Sequence, residues 1–213
     1  MLSTVQVVSP PAIEPVSLDL ARQHCRIDSN ADDSLIQVYI TAARTMAEAY
    51  LSRALITQTL LWVVTPQGRL HPERSRLRGV LELPRAPVQS IASVTVLDVL
   101  GNTTAVPAAA LPVVPPAELL GYRTDLLHAP ARLAIGADTP LSGGALVRNT
   151  ALENVQITFV AGYGAVATAV PQPIIHAILL TTGFLYEHRG DSDGELPKAA
   201  EWLLDPYRMM FVA

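Results

Sequence analysis

A chain of 213 residues, half of them apolar and 16% charged, can bury a substantial hydrophobic interior and is too poor in charge to be a disordered, solvating polymer. Its formal net charge of −4 argues against non-specific clamping on nucleic acid. A single cysteine, Cys25, excludes an internal disulfide and a multi-cysteine zinc site. Lys198 is the only lysine, and the other cations are arginines. Two readings of that bias stay open: a subunit that buries arginine forks against neighbours, or the base composition of the source genome.

The chain starts without a targeting pattern. Met1 to Pro15 lacks a charged start followed by an apolar run, and Pro10, Pro11 and Pro15 would interrupt one. Ser17 is then a good N-cap for a short helix through Leu18, Leu20, Ala21 and His24, with Asp19 at its positive end. Asn30 opens a longer helix from Ala31 to Leu51, whose apolar positions Leu35, Tyr39, Ala42, Ala43, Met46, Ala49 and Tyr50 recur at three and four.

From Leu55 the period changes to that of strands. Ile56 to Val64 is rich in β-formers and ends at Thr65-Pro66-Gln67-Gly68. Val80 to Leu83 predicts a short strand stopped by Pro84. Ile91 to Leu100 turns through Gly101-Asn102 into Thr103 to Val106, a hairpin. Pro107 to Pro116 reads as a loop or extended arm. Tyr122 to Leu127 and Arg132 to Ile135 are weaker strand signals, and Val155 to Val160 is a strong one closed by Gly162-Tyr163-Gly164.

Helices then return. Pro171 and Pro173 suit a helix N-terminus, and Ile174 to His188 is apolar nearly all round, the mark of a buried helix. That stretch is too short to cross a bilayer and carries His176, expected to be a hydrogen-bonded core or interface residue. Leu196 to Pro206 predicts a last short helix before an apolar tail. The fold class is therefore α+β: a helical core of two N-terminal and two C-terminal helices with a β-rich insertion between them. The divisions are 1–54 for the N-terminal arm and helices, 55–161 for the insertion, and 171–213 for the C-terminal helices and a partner-binding tail.

Enzymatic signatures are missing. The sequence holds no phosphate-binding glycine loop, no Gly-x-Ser-x-Gly elbow and no His-Glu-x-x-His. His24 and Cys25 are adjacent, and on a helix adjacent side chains point about 100° apart, which disfavours a catalytic dyad. The five histidines show no metal-ligand spacing. Asp191, Asp193 and Glu195 alternate but lack the rest of a calcium loop. No cofactor, metal or catalytic residue is expected.

Charge is unevenly placed. Arg69, Arg74, Arg76, Arg78 and Arg85 outnumber Glu73 and Glu82, whereas Glu187, Asp191, Asp193, Glu195, Glu201 and Asp205 outnumber Arg189 and Lys198. Both stretches can be ordinary solvated surface. The functional reading is a basic loop facing DNA or an acidic partner, and an acidic end that repels DNA or meets basic residues.

Several blocks resemble one known family. Pro11 to Ala21 followed by His24 to Asp28, then Asp32 to Ile36, Ala42 to Arg44, Ala47 to Tyr50 and Arg53 to Thr59, are similar to the opening of phage head–tail connector proteins. Leu83 to Ile91, Phe159 to Gly164, Pro173 to Leu180, Tyr186 to Arg189 and Leu204 to Arg208 continue the likeness. It carries no pattern between Gly101 and Glu153.

The resemblance implies a structural adaptor, or head-completion, subunit of a tailed phage, a prophage or a gene transfer agent. Made in the bacterial host cytoplasm, it would sit in the virion neck, in a ring of about twelve copies beneath the portal protein. It would extend the DNA channel and present a platform for a stopper, neck or tail-terminator protein. Packaged DNA would pass through the lumen without sequence-specific binding, and neither membrane nor catalysis is involved. Portal contacts are expected at Trp202, Leu203, Leu204, Tyr207, Arg208, Met209, Met210, Phe211 and Val212. Tyr39, Met46, Tyr50, Ile174, Ile178 and Leu185 are candidates for contacts between subunits, and Arg69, Arg74, Arg76, Arg78 and Arg85 for a surface facing DNA or a partner. The alternatives are a tail-completion or neck protein, a DNA-binding packaging accessory protein, and an enzyme with a site buried in the β insertion.

Overall fold

A computed structural model describes residues 2–65, 80–108, 121–135, 152–189 and 195–209. They divide into a β unit, Met1–Pro10 with Thr59–Ala161, and a helical unit, Pro11–Gln58 with Gly162–Ala213.

The helical unit starts with α1 (Leu18–Cys25), where the Ser17 hydroxyl accepts the Leu20 N–H at 3.2 Å. Helix α2 (Asp33–Leu51) begins two residues later than its composition predicts, and the Asp32 side chain does not cap it. That carboxylate instead accepts hydrogen bonds from Tyr186 and Arg189. Along α2, Ile36, Ile40, Ala43, Ala47 and Leu51 recur at three and four and are buried, giving the helix one apolar face.

Helix α3 (Gln172–Glu187) opens at prolines, as predicted, and α4 (Lys198–Leu204) runs into a single 3₁₀ turn, Asp205–Tyr207. Helix α3 packs against α1, α2 and α4, and Ile174, Ala177 and Ile178 are completely buried there. At Gly183 the approach is so close that a Cβ would lie 3.3 Å from the His24 ring, so the small residue permits the α1–α3 contact. The apolar character of α3 is thus met inside the chain. His176 is exposed: of the two places expected for it, core or interface, the core is excluded, because it stands on the one side of α3 that its neighbours leave open.

The segment after α2 closes this unit. Thr57 N–H donates to the Gly164 carbonyl and Tyr163 N–H to the Leu55 carbonyl, each at 3.0 Å. Gly162 has φ +137°, and a Cβ there would fall 2.6 Å from the Ile56 and Thr57 backbone. The Gly-Tyr-Gly motif is a backbone-to-backbone seam, with glycine required by space and by dihedral angle.

The β unit holds two sheets. Its strands are β1 (Leu2–Ser9), β2 (Gln58–Thr65), β3 (Val80–Glu82), β4 (Val88–Asp98), β5 (Thr103–Ala105), β6 (Tyr122–Asp125), β7 (Arg132–Ile135) and β8 (Leu152–Ala161). One sheet has the order β1-β2-β8-β4-β5 and the other β3-β7-β6. Alternate residues of β2 and β8 are buried, Leu60, Trp62 and Val64 on one and Val155, Ile157 and Phe159 on the other. Val94 pairs with Ile157 and Val96 with Val155, buried on both strands.

The predicted β4–β5 hairpin forms around Asp98, whose carboxylate accepts the N–H groups of Leu100 and Asn102, while Gly101 takes φ +86°. The Asn102 side-chain amide, which donates to the other carboxylate oxygen at 2.9 Å, and after it these N–H groups hold the Asp98 carboxyl below its ordinary pKa. Strand β1 was not expected: its residues read as an irregular arm, yet Leu2 to Val7 pair antiparallel with Thr65 to Leu60. Residues 1–10 therefore belong to the β unit, and Leu55–Gln58 to the helical one. The Pro107–Pro116 arm lies mostly outside the described residues.

Candidate functional site

A buried ionic cluster, not anticipated from the sequence, organises the helical unit. Glu48 and Arg44 sit one turn apart on α2, and both are buried. Arg44 donates to Glu48 at 2.8 Å and to Glu14 at 2.7 Å, and Thr41 donates to the other Glu14 oxygen at 3.0 Å. The second Glu48 oxygen accepts the Leu55 backbone N–H at 2.8 Å and the Gln58 amide at 2.9 Å. Both carboxylate oxygens of Glu48 are engaged, so the buried charge is paired and hydrogen-bonded, as burial of an ion demands. The signal available in the sequence was the i,i+4 Arg44–Glu48 spacing. Glu14, thirty residues from Arg44 in sequence, left none. This cluster ties the segment before α1 and the segment after α2 to the C-terminal half of α2; it has the form of a staple.

Two further clamps lie at the surface. Tyr186 donates to Asp32 at 2.7 Å, Arg189 donates to the same oxygen at 3.0 Å, and the Arg189 guanidinium lies 4.5 Å from the centre of the Tyr186 ring. The bonds from Tyr186 and Arg189 pull the Asp32 carboxyl below its usual range, and the same carboxylate raises the Tyr186 phenol and the Arg189 guanidinium. At the far end of α2, Tyr50 donates to Asp205, Arg53 donates to the Tyr207 carbonyl, and Met209 N–H donates to the Leu51 carbonyl at 3.0 Å. Arg208 covers the Tyr50 ring at 4.9 Å, and the bond to Asp205 raises the Tyr50 phenol.

These contacts sort the portal-contact candidates. Trp202 is 74% exposed and Arg208 is exposed, whereas Leu203 and Tyr207 are half-buried. Leu204 and Met209 are buried within their own helical unit. They are corrected to core residues, because the chain after α4 turns back and bonds to the end of α2. Met210, Phe211 and Val212 lie outside the described residues.

The subunit-contact candidates divide similarly. Ile174 and Ile178 are completely buried in the core and present no surface to another chain, a correction that follows from the central place of α3. Tyr39, Met46, Tyr50 and Leu185 are half-buried. Met46 lines an uncharged hollow of about 650 Å³ on the outer face of α2 with Ser34, Gln37, Val38, Thr41, Ala42 and Thr45. Val38 in that hollow is exposed.

Of the basic-loop candidates only Arg85 is among the described residues; Arg69, Arg74, Arg76 and Arg78 lie outside them. Arg85 has φ 63° in the turn between β3 and β4. In the β unit a hollow of about 340 Å³ is lined by Ser90, Ile91, Ala108, Tyr122, Arg123 and Thr124 among others, with no carboxylate or histidine. Among the described residues no three His, Cys, Asp or Glu side chains form a metal-binding group. No described helix is long and apolar enough to cross a membrane.

Among the described residues the fold comprises helices α1 to α4 and an antiparallel β unit. Three solved chains share it: one from a virion of a native gene transfer agent particle, at 22% identity and TM-score 0.69, covering 98% of this chain and 97% of that one. A chain from the neck of an empty gene transfer agent particle, computed with C6 symmetry, is 23% identical with TM-score 0.69 over 99% and 97%. One from the neck of a native particle, computed with C12 symmetry, is 24% identical with TM-score 0.67 over 99% and 97%. At these identities the likeness establishes the fold.

In sequence, residues 15–97 match the model of the Phage gp6-like head-tail connector protein family. No curated protein matches the chain.

Proposed function

We propose that this chain is a structural head–tail connector, or adaptor, subunit in the neck of a tailed phage, prophage or gene transfer agent particle. In this reading about twelve copies close a ring by head-to-tail contacts. The ring lies beneath the portal, prolongs the DNA channel and offers a platform to the next stopper or neck protein. It performs no catalysis, and its work is done by surfaces.

The observation that carries the reading is the coincidence of two independent likenesses. Residues 15–97 match the connector family, and nearly the whole chain shares its fold with neck chains. Modest acidity, at a net charge of −4, suits a lumen through which DNA must slide, because strong phosphate neutralisation would hold it.

Within the reading, exposed Trp202 and Arg208, with the Met210-Phe211-Val212 tail that follows, are assigned to the portal. Met46 and the uncharged outer face of α2 are assigned to a neighbouring copy. Mass measurement of the purified chain, alone and with its portal protein, tests the assembly. Closed multimers bound to portal are expected. A chain that stays a single copy with portal present, or that turns over a substrate, overturns it.

A further inference from the structure

The most unusual surface is an edge of the five-stranded sheet. Natural sheets protect their outer strands by making them short, by placing charges or proline on them, or by covering them. The β5 edge follows that rule with three residues. Strand β1 does not. It runs for eight residues, Leu-Ser-Thr-Val-Gln-Val-Val-Ser, with no charge and no proline. Its one protective feature is a register shift between Val7 and Ser9, at its C-terminal end, which leaves Leu2 to Val7 in unbroken pairing with β2.

Its length of about 27 Å at 3.4 Å per residue leaves about four N–H and four C=O groups directed away from β2. Among the described residues no strand lies on that side. Val7 and Val8 are each 58% exposed, so apolar side chains lie open beside the rim.

We propose that the outer edge of β1 accepts a strand from a neighbouring copy of this same chain, so that the sheet gains a sixth strand in the assembly. The inference rests on the ring reading above. Charge identifies the occupant. Two copies each carrying a net charge of −4 repel, and they meet at least cost where neither presents charge. The sixteen residues of β1 and β2 hold no ionisable side chain. A partner chosen by charge would need the opposite feature. Symmetry adds a condition: β1 paired on β1 is a two-fold contact that closes at two copies, whereas a ring needs a different strand of the neighbour. Main-chain bonds then supply the attachment, and the alternating side chains set its register.

The test compares the full-length chain with a Gln6→Lys, Val8→Lys double variant by mass photometry over a range of concentrations, and follows backbone amide exchange of residues 2–9. The wild type should assemble, with those outward amides protected only in the assembled form. The lysine variant should need at least a tenfold higher concentration for half-assembly while keeping the wild-type circular dichroism spectrum and melting temperature. Val7→Thr, which keeps the edge uncharged, should assemble normally.

Rings of the lysine variant equal to wild type would overturn the edge assignment and leave the ring reading intact. So would protection already complete in the single-copy form, which gives the edge to the chain itself, or protection that appears only on adding portal protein, which gives it to another partner. Failure of wild type to assemble in any condition, portal included, counts against the ring reading and removes this inference with it.

Discussion

The two units treat their polar groups in opposite ways. In the helical unit the buried Arg44–Glu48 ion pair is answered on every side: Glu48 holds Arg44, the Leu55 N–H and the Gln58 amide, and Arg44 reaches Glu14. Its most apolar helix, α3, is wrapped by the other three. In the β unit, β1 leaves one rim of main-chain groups unanswered among the described residues and places two valines in solvent. The difference teaches where hydrophobicity signals assembly and where it does not. An all-apolar helix is a sound sign of burial, but the covering can come from the same chain, whereas an uncharged strand at a sheet edge needs another strand.

The sharpest way to break this contrast is to disturb the closed cluster. Glu48→Ala leaves Arg44 half-paired and strands the Leu55 N–H and the Gln58 amide in the interior. A loss of about 3–5 kcal/mol is expected, read from urea denaturation midpoints. Glu48→Gln retains an acceptor for Leu55 and removes the charge, and should cost less than half as much. If both variants unfold at the wild-type midpoint, the cluster is not what closes α2.

Next in size is Ile178→Ala, which opens a cavity against α1, α2 and α4. A cost of about 2–4 kcal/mol is expected, with assembly unaffected once the variant is folded. A variant that keeps its stability and loses assembly would return Ile178 to the interface.

The fold was legible where one physical signal dominated. The Ser17 cap, the prolines opening α3 and the Gly101-Asn102 hairpin all act locally, and the structure follows them. The helical period of α2 holds too, but its buried face is Ile36, Ile40, Ala43, Ala47 and Leu51, one position on from the expected Leu35, Tyr39, Ala42, Met46 and Tyr50. Strand β1 escaped because its evidence is not local: an eight-residue polar–apolar mixture near prolines becomes a strand only when β2 offers it a partner some sixty residues away. The start of α2 was misplaced because Asp32, inside the expected Ala31–Leu51 helix, is claimed by Tyr186 and Arg189 from the other end of the chain. For the contact candidates, composition identified sticky residues without separating those facing inward, such as Leu204 and Met209, from those facing out, such as Trp202. Hydropathy has no direction until a helix is packed.

A smaller effect sharpens the same point through pH. The folded Asp32 carboxyl is held below its unfolded value of about 3.9. The unfolded state therefore takes up the proton first as pH falls, and the clamp's contribution is present above that value and lost as pH drops through the lowered folded one. Asp32→Asn should lower the melting temperature at pH 6–7, with the gap from wild type closing below about pH 4. A gap that stays constant down to the acid transition would show that Asp32 acts through shape alone.

The smallest expected effect on folding, and the most discriminating for the role, is Trp202→Ala. The indole is 74% exposed on α4, so its removal should change stability by no more than about 0.5 kcal/mol. Large exposed aromatics are the commonest anchors of protein interfaces, and this one stands on the helix leading into the residues pinned to the end of α2. A variant that melts with wild type but is retained at least tenfold less by immobilised portal protein is the expected result. Equal retention would move the portal contact away from α4.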